Sequence, residues 1–231
     1  MEIIGSDKIG FISKAKHGSS TLETLIRGYD FINQTNESVN EAKIGRYQSE
    51  KIILFPWRDE FESLKSGFFE DTTQLLSSDK TPLDTLRNIF NKKNNSNVLT
   101  VNNERGNSGH KHILSNVDFL EFLLIGYDKF YFFDLKHLSN PKLIEWISEH
   151  DPQWKNVSIP HRNSSLTDPI KIKIKNILPQ IKEELGEDYL DYNNINNWPR
   201  FKHYYEFSKM FFKSHKKSKQ FLDFDKMEAK I

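Results

Sequence analysis

The sequence predicts an α/β fold, with a mostly parallel central sheet flanked by helices and a helical C-terminal extension. Three observations lead there. Short apolar runs at Lys8–Ser13, Lys51–Phe55 and Phe130–Phe133 have the length of strands. Each is followed by a segment whose apolar residues recur at helical spacing. The two kinds of element alternate instead of clustering, which is the pattern of parallel strands joined by crossover helices.

The first strand, Lys8-Ile9-Gly10-Phe11-Ile12-Ser13, ends in a polar, Gly-containing turn. A helix beginning near Thr21 then places Leu22, Leu25 and Ile26 on one face. At Lys51–Phe55 four consecutive apolar residues suit a strand covered on both faces. Its helix starts near Asp59 and carries Phe61, Leu64, Phe68 and Phe69. A modest helix at Pro82–Phe90 gives way to Asn- and Gly-rich stretches, Asn91–Asn97 and Asn102–Gly109, which read as loops able to cover a site. Regular patterning returns with an apolar helix at Val117–Ile125, the strand Phe130–Phe133 and an amphipathic helix from Pro141 to Ser148. Beyond Asp151 no strand is expected, and helices at Ile170–Leu185 and Tyr204–Phe212 form the extension. One domain over residues 1–231 is the natural organisation, with 1–150 as α/β core and 151–231 mainly helical.

Composition narrows the functional classes. With 33 Lys plus Arg against 32 Asp plus Glu, the net charge of +1 supplies no global field for nucleic acid or an anionic membrane, so an anion site must be local. There is no cysteine, which excludes disulfides and thiolate metal sites and fits a reducing compartment. The N-terminus lacks a basic stretch followed by a long apolar run, and no segment approaches the roughly 18 apolar residues of a membrane span. A cytoplasmic, soluble protein with no membrane partner is the expectation.

Two segments carry chemistry. The first is Lys14-Ala15-Lys16-His17-Gly18-Ser19-Ser20-Thr21, between the first strand and the first helix. Backbone N–H groups at a helix N-terminus, several hydroxyls and a Lys charge make an anion cradle, and Gly18 lets the backbone approach closely. The same residues would also serve as a plain helix cap. The order differs from the nucleotide-hydrolysing P-loop, which needs a Lys after its second Gly, and that disfavours a nucleotide kinase or another ATP- or GTP-dependent activity.

Lys16-His17-Gly18-Ser19-Ser20 resembles the 5′-phosphosulfate loop of the sulfotransferases that use PAPS (3′-phosphoadenosine 5′-phosphosulfate), which reads Pro-Lys-x-Gly-Ser/Thr-Ser/Thr; Ala15 stands where Pro is usual. The second segment, Trp57 to Ser66, resembles the family's 3′-phosphate segment, and Arg58 and Ser66 keep its interval of eight residues, with Glu60 replacing the usual Pro. An Arg fork and a Ser hydroxyl can converge on one phosphate; alternatively, Arg58 pairs with a surface acid and Ser66 is an incidental helix residue. Less specific likenesses follow at Phe130–Leu135, Pro160–Ser165 and Glu187–Tyr192.

The resemblance implies a P-loop-like sulfotransferase fold, PAPS as donor with PAP (adenosine 3′,5′-bisphosphate) as product, and a small-molecule or carbohydrate acceptor. By the same likeness, Lys14 and the residues from Lys16 to Thr21 would hold the 5′-phosphosulfate, and Arg58 and Ser66 the 3′-phosphate. Lys16 would stabilise the charge developing on the leaving oxygen. The general base is less legible. Glu23, His17, His110 and His112 are candidates, and a non-catalytic PAP-binding protein of the same fold is the alternative. His110-Lys111-His112 is a weak ligand pattern, so no metal is expected. The basic run Lys213–Lys219 reads first as a solvated face and second as contact with a polyanion.

Overall fold

The computed structural model describes residues 2–13, 18–36, 51–59, 61–63, 65–66, 129–160, 169–186, 194, 196 and 199–227. The chain divides into two compact units. One comprises Met1–Arg58, Val117–Arg162 and Phe211–Ile231, and the other Asp59–Asn116 and Asn163–Met210. The helices at Val117–Ile125 and Pro82–Phe90 and both Asn-rich loops expected from the sequence lie outside the described residues.

The first unit is built on a five-stranded sheet: β1 (Glu2–Gly5), β2 (Ile9–Ser13), β3 (Asn33–Asn36), β4 (Ile52–Trp57) and β5 (Phe130–Asp134), in the order β3-β1-β2-β4-β5. β2 pairs parallel with β4 and β4 with β5, whereas β1 pairs antiparallel with both β2 and β3. Four strands therefore run one way and β1 runs against them. That makes the sheet mixed, though mostly parallel.

β1 and β3 are absent from the sequence-based expectation, and the physical reason is their length and composition. β1 is a four-residue strand whose Ile3 and Ile4 pack on opposite faces of the sheet. It joins β2 by a tight turn in which a Cβ on Gly5 would come within 2.0 Å of the Ile9 carbonyl oxygen. β3 reads Asn-Gln-Thr-Asn and has no apolar residue to give a pattern; its pairing with β1 specifies it.

Period-two alternation sorts the sheet's side chains onto two faces. On one face lie Ile4, Ile9, Phe11, Ile52, Leu54 and Phe133, covered by Leu22 and Leu25 of α1 (Ser19–Gly28), by Leu143 and Ile147 of α2 (Pro141–His150), and by Trp154. On the other lie Ile3, Ile12, Ile53, Phe55, Trp57, Phe130 and Phe132, against Phe211, Phe212 and Phe221. Phe212 stacks on Trp57 at 4.7 Å between ring centroids. α2 begins as its sequence dictates, with Pro141 at its start and the Asn140 carboxamide accepting from the Lys142 N–H at 3.0 Å.

β4 runs two residues past the expected end at Phe55, through Pro56. A proline inside a central strand needs an explanation, since it has no N–H for the ladder. The Ile52 N–H donates toward β2, to the Lys8 carbonyl, and the Ile53 N–H donates toward β5, to the Lys129 carbonyl. Alternation therefore turns the Pro56 nitrogen toward β2, where pairing has already stopped at Phe11 and Leu54. On the other side β4 stays paired with β5 as far as Trp57 and Asp134.

The C-terminal segment returns to this sheet. The Phe132 N–H donates to the Gln220 carbonyl and the Leu222 N–H to the Phe132 carbonyl, so Phe221 makes a single parallel bridge along the outer edge of β5. In the second unit, α3 (Pro169–Leu185) and most of α4 (Pro199–His215) are the expected C-terminal helices, with α4 starting five residues earlier than its apolar pattern suggests. The Asp59 carboxylate caps the helical turn that follows it, accepting from the N–H groups of Phe61 and Glu62. Among the described residues no helix is long and apolar enough to cross a membrane.

Candidate functional site

The connections of the first unit part in opposite directions from the middle of the sheet. From β2 the chain passes through α1 to β3, on one side of β2; β4 and β5 lie on its other side. In open α/β sheets such a switch point opens a crevice outside the carboxyl ends of the two strands, and ligands bind there. Here the switch point falls between β2 and β4, whose pairing ends at Phe11 and Leu54.

α1 starts at this edge. Gly18 precedes it with φ 84° and ψ 12°, in the left-handed region that favours glycine. Its carbonyl accepts from the N–H groups of Thr21 and Leu22, both at 2.9 Å. A Cβ on Gly18 would lie 2.5 Å from Leu138 Cδ2 and 3.1 Å from Leu135 Cδ1. Both leucines belong to the turn that follows β5, so the entry to α1 lies across the carboxyl ends of the parallel strands. Among the described residues no side chain caps the helix at Gly18, and the first turn holds no acid. The positive end of the helix dipole is therefore uncompensated there by any carboxylate of its own first turn.

Of the residues singled out from sequence, Gly18, Ser19 and Ser20 come together at this helix start, Ser19 half-buried and Ser20 exposed. Thr21 is buried against the core, and its carbonyl accepts from the Thr24 hydroxyl at 2.6 Å. Glu23 is exposed on the outer side of α1. Lys14, Lys16 and His17 lie outside the described residues, as do His110 and His112. Arg58 follows the carboxyl end of β4 and is half-buried. Ser66 sits in a helical turn of the second unit, so the Arg58-to-Ser66 interval crosses from one unit to the other and their common role rests on sequence alone.

Two polar features at this edge were not visible in the sequence. Ser13, the last residue of β2, is 8% exposed, and its hydroxyl has no hydrogen-bond partner among the described residues. His137 is buried in the turn after β5, with Nδ1 3.3 Å from the Asn140 amide nitrogen and Nε2 3.4 Å from Asp225. An amide donating to Nδ1 leaves the ring proton on Nε2, facing Asp225. Asp225 also accepts from Lys136 at 2.7 Å, and the Lys136 hydrogen bond holds its carboxyl below the usual range. His137 thus ties the turn after β5 to the C-terminal segment through Nε2 and to the residue that caps α2 through Nδ1.

Among the described residues no group of three or more His, Asp or Glu is placed to hold a metal ion. Lys213, Lys216, Lys217 and Lys219 of the basic run are exposed. No protein-family model, no curated protein and no solved structure matches this chain.

Proposed function

We propose that the chain binds PAPS and transfers its sulfuryl group to a hydroxyl or amine of a small-molecule or carbohydrate acceptor. The observation that carries this reading is the helix entry at the switch point. A left-handed glycine opens α1, uncapped and free of first-turn acids, across the carboxyl ends of parallel strands, at the loop that resembles the family's 5′-phosphosulfate loop. In this reading Gly18, Ser19 and Ser20 present backbone and hydroxyl donors to the 5′-phosphate. Lys16, by the resemblance, would stabilise the charge on the leaving oxygen. Arg58, at the end of the neighbouring strand, takes the 3′-phosphate through its donor fork.

Calorimetric titration with PAP, with ATP–Mg²⁺ and adenosine 5′-monophosphate as controls, tests the donor site. Binding that needs the 3′-phosphate is expected, and folded protein that ignores PAP would remove the assignment. Arg58→Ala should weaken PAP binding by about tenfold or more, the worth of a hydrogen bond to a charged group. Lys16→Ala should abolish turnover while PAP affinity changes less. Undiminished turnover in that variant would contradict its role.

A further inference from the structure

We propose that the hydroxyl of Ser13 is an oxyanion ligand, donating its proton to a phosphate or sulfate oxygen held at the start of α1. The inference rests on the nucleotide reading above only for the name of the molecule that brings the oxyanion, the 5′-phosphate of PAP or PAPS.

A hydroxyl buried without a partner costs more folding free energy than a typical hydrogen bond returns, and alanine at the same position would avoid that cost. Ser13 is more than nine-tenths buried, and its Oγ has no partner among the described residues. Its direction follows from the strand. Ile9 and Phe11 point to the face on which Leu22 and Leu25 of α1 pack, and alternation puts Ser13 on that same face, one step beyond Phe11. The β2–β4 ladder has stopped at Phe11 and Leu54, and Pro56 has no N–H to continue it. The hydroxyl therefore stands at the carboxyl end of β2, on the face of the sheet that α1 covers. The helix entry at Gly18 and the orphaned hydroxyl of Ser13 are independent features at the same edge: the helix start favours an anion, and the hydroxyl can donate to one.

Two other buried hydroxyls, of Ser63 and Ser218, also lack partners among the described residues. Neither sits at the end of a strand. Ser63 belongs to the helical turn after Asp59, and Ser218 to the segment after α4.

The test compares wild type with Ser13→Ala in three titrations: inorganic phosphate followed by thermal stabilisation, and PAP and adenosine 3′-monophosphate followed by calorimetry. The unliganded variant should melt at the same temperature as wild type or higher, because it loses an unsatisfied group. It should lose most of the stabilisation by inorganic phosphate and bind PAP about tenfold more weakly, yet bind adenosine 3′-monophosphate, which lacks the 5′-phosphate, as wild type does. Equal binding of PAP and of inorganic phosphate by the two proteins would overturn the inference. So would an equal loss for PAP and adenosine 3′-monophosphate, which marks an effect on the fold. If wild type ignores PAP but keeps a Ser13-dependent response to inorganic phosphate, the nucleotide reading fails and the Ser13 site stands. A wild type that answers to neither probe removes both.

Discussion

Ser6 and Ser13 flank the two ends of β2, both buried, and their surroundings are opposite. At the amino end the Ser6 hydroxyl donates to Asp151 at 2.6 Å and accepts from the Ile9 N–H at 3.2 Å and the Trp154 indole N–H at 3.3 Å. Asp151 itself is 1% exposed, accepts from the Gln153 N–H, and sends its own N–H to the Ile147 carbonyl at the end of α2. One buried serine hydroxyl is thus tied to the β1–β2 turn, α2 and the turn Pro152–Asn156, while at the carboxyl end the Ser13 residue pairs with Glu2 of β1 but its hydroxyl has no partner among the described residues. The contrast separates polar groups that hold the sheet together from one left over where its strands diverge.

The largest expected effect tests the amino end. Asp151→Ala removes the acceptor of both the Ser6 hydroxyl and the Gln153 N–H in a buried site, and should cost about 3 kcal/mol. Urea unfolding would measure it as a lower midpoint at an unchanged slope. Asp151→Asn, which keeps one acceptor oxygen, should lose less. A cost below about 1 kcal/mol for the alanine variant would mean that the hydrogen bonds at this end carry no more than ordinary surface contacts.

Gly18→Ala is expected to follow, at about 2 kcal/mol. The left-handed backbone disfavours any Cβ, and this one would press on a methyl of Leu138, which must move. Thermal unfolding measures the stability loss. PAP titration should show a further loss of affinity, because the N–H groups that follow Gly18 turn with it. An alanine variant as stable as wild type would show that the backbone at the helix entry relaxes freely, and the cradle would lose its rigidity.

How far these features were legible depends on whether they are local. β2, β5, α1 and α2 follow from hydrophobic periodicity, and Gly18, Ser19, Ser20 and Arg58 stand out because residue type and position relative to a strand end are both written in the sequence. β3 was not legible, since Asn33–Asn36 is polar throughout and becomes a strand only through β1. The apolar run of β4 ends at Phe55, and the strand's continuation through Pro56 depends on the side on which pairing with β2 stops. Ser13 gives no signal at all in one dimension, because its distinguishing property is the lack of a partner. Lys136 and Asp225 lie 89 residues apart, a separation over which no pattern in the sequence reaches.

The smallest effect concerns a second carboxylate, at the carboxyl end of the sheet. Asp225 accepts from Lys136 and faces His137, and so joins the C-terminal segment to the turn after β5, but it is exposed where Asp151 is buried. Its carboxyl is held below the usual range by the Lys136 hydrogen bond, with the Lys136 charge adding to it. A carboxylate with a depressed folded pKa contributes stability above its unfolded value, about 3.9, and loses that contribution as pH falls through the folded value. Asp225→Asn should therefore melt slightly below wild type near neutral pH, and the two should converge as the solution is acidified below about pH 4. Added salt should narrow the neutral-pH gap, because the pair stands in solvent. A loss as large as that of Asp151→Ala, or one that salt leaves untouched, would mean that the exposed carboxylate organises its end of the sheet as the buried one does. The contrast between the two ends would then rest on Ser13 alone.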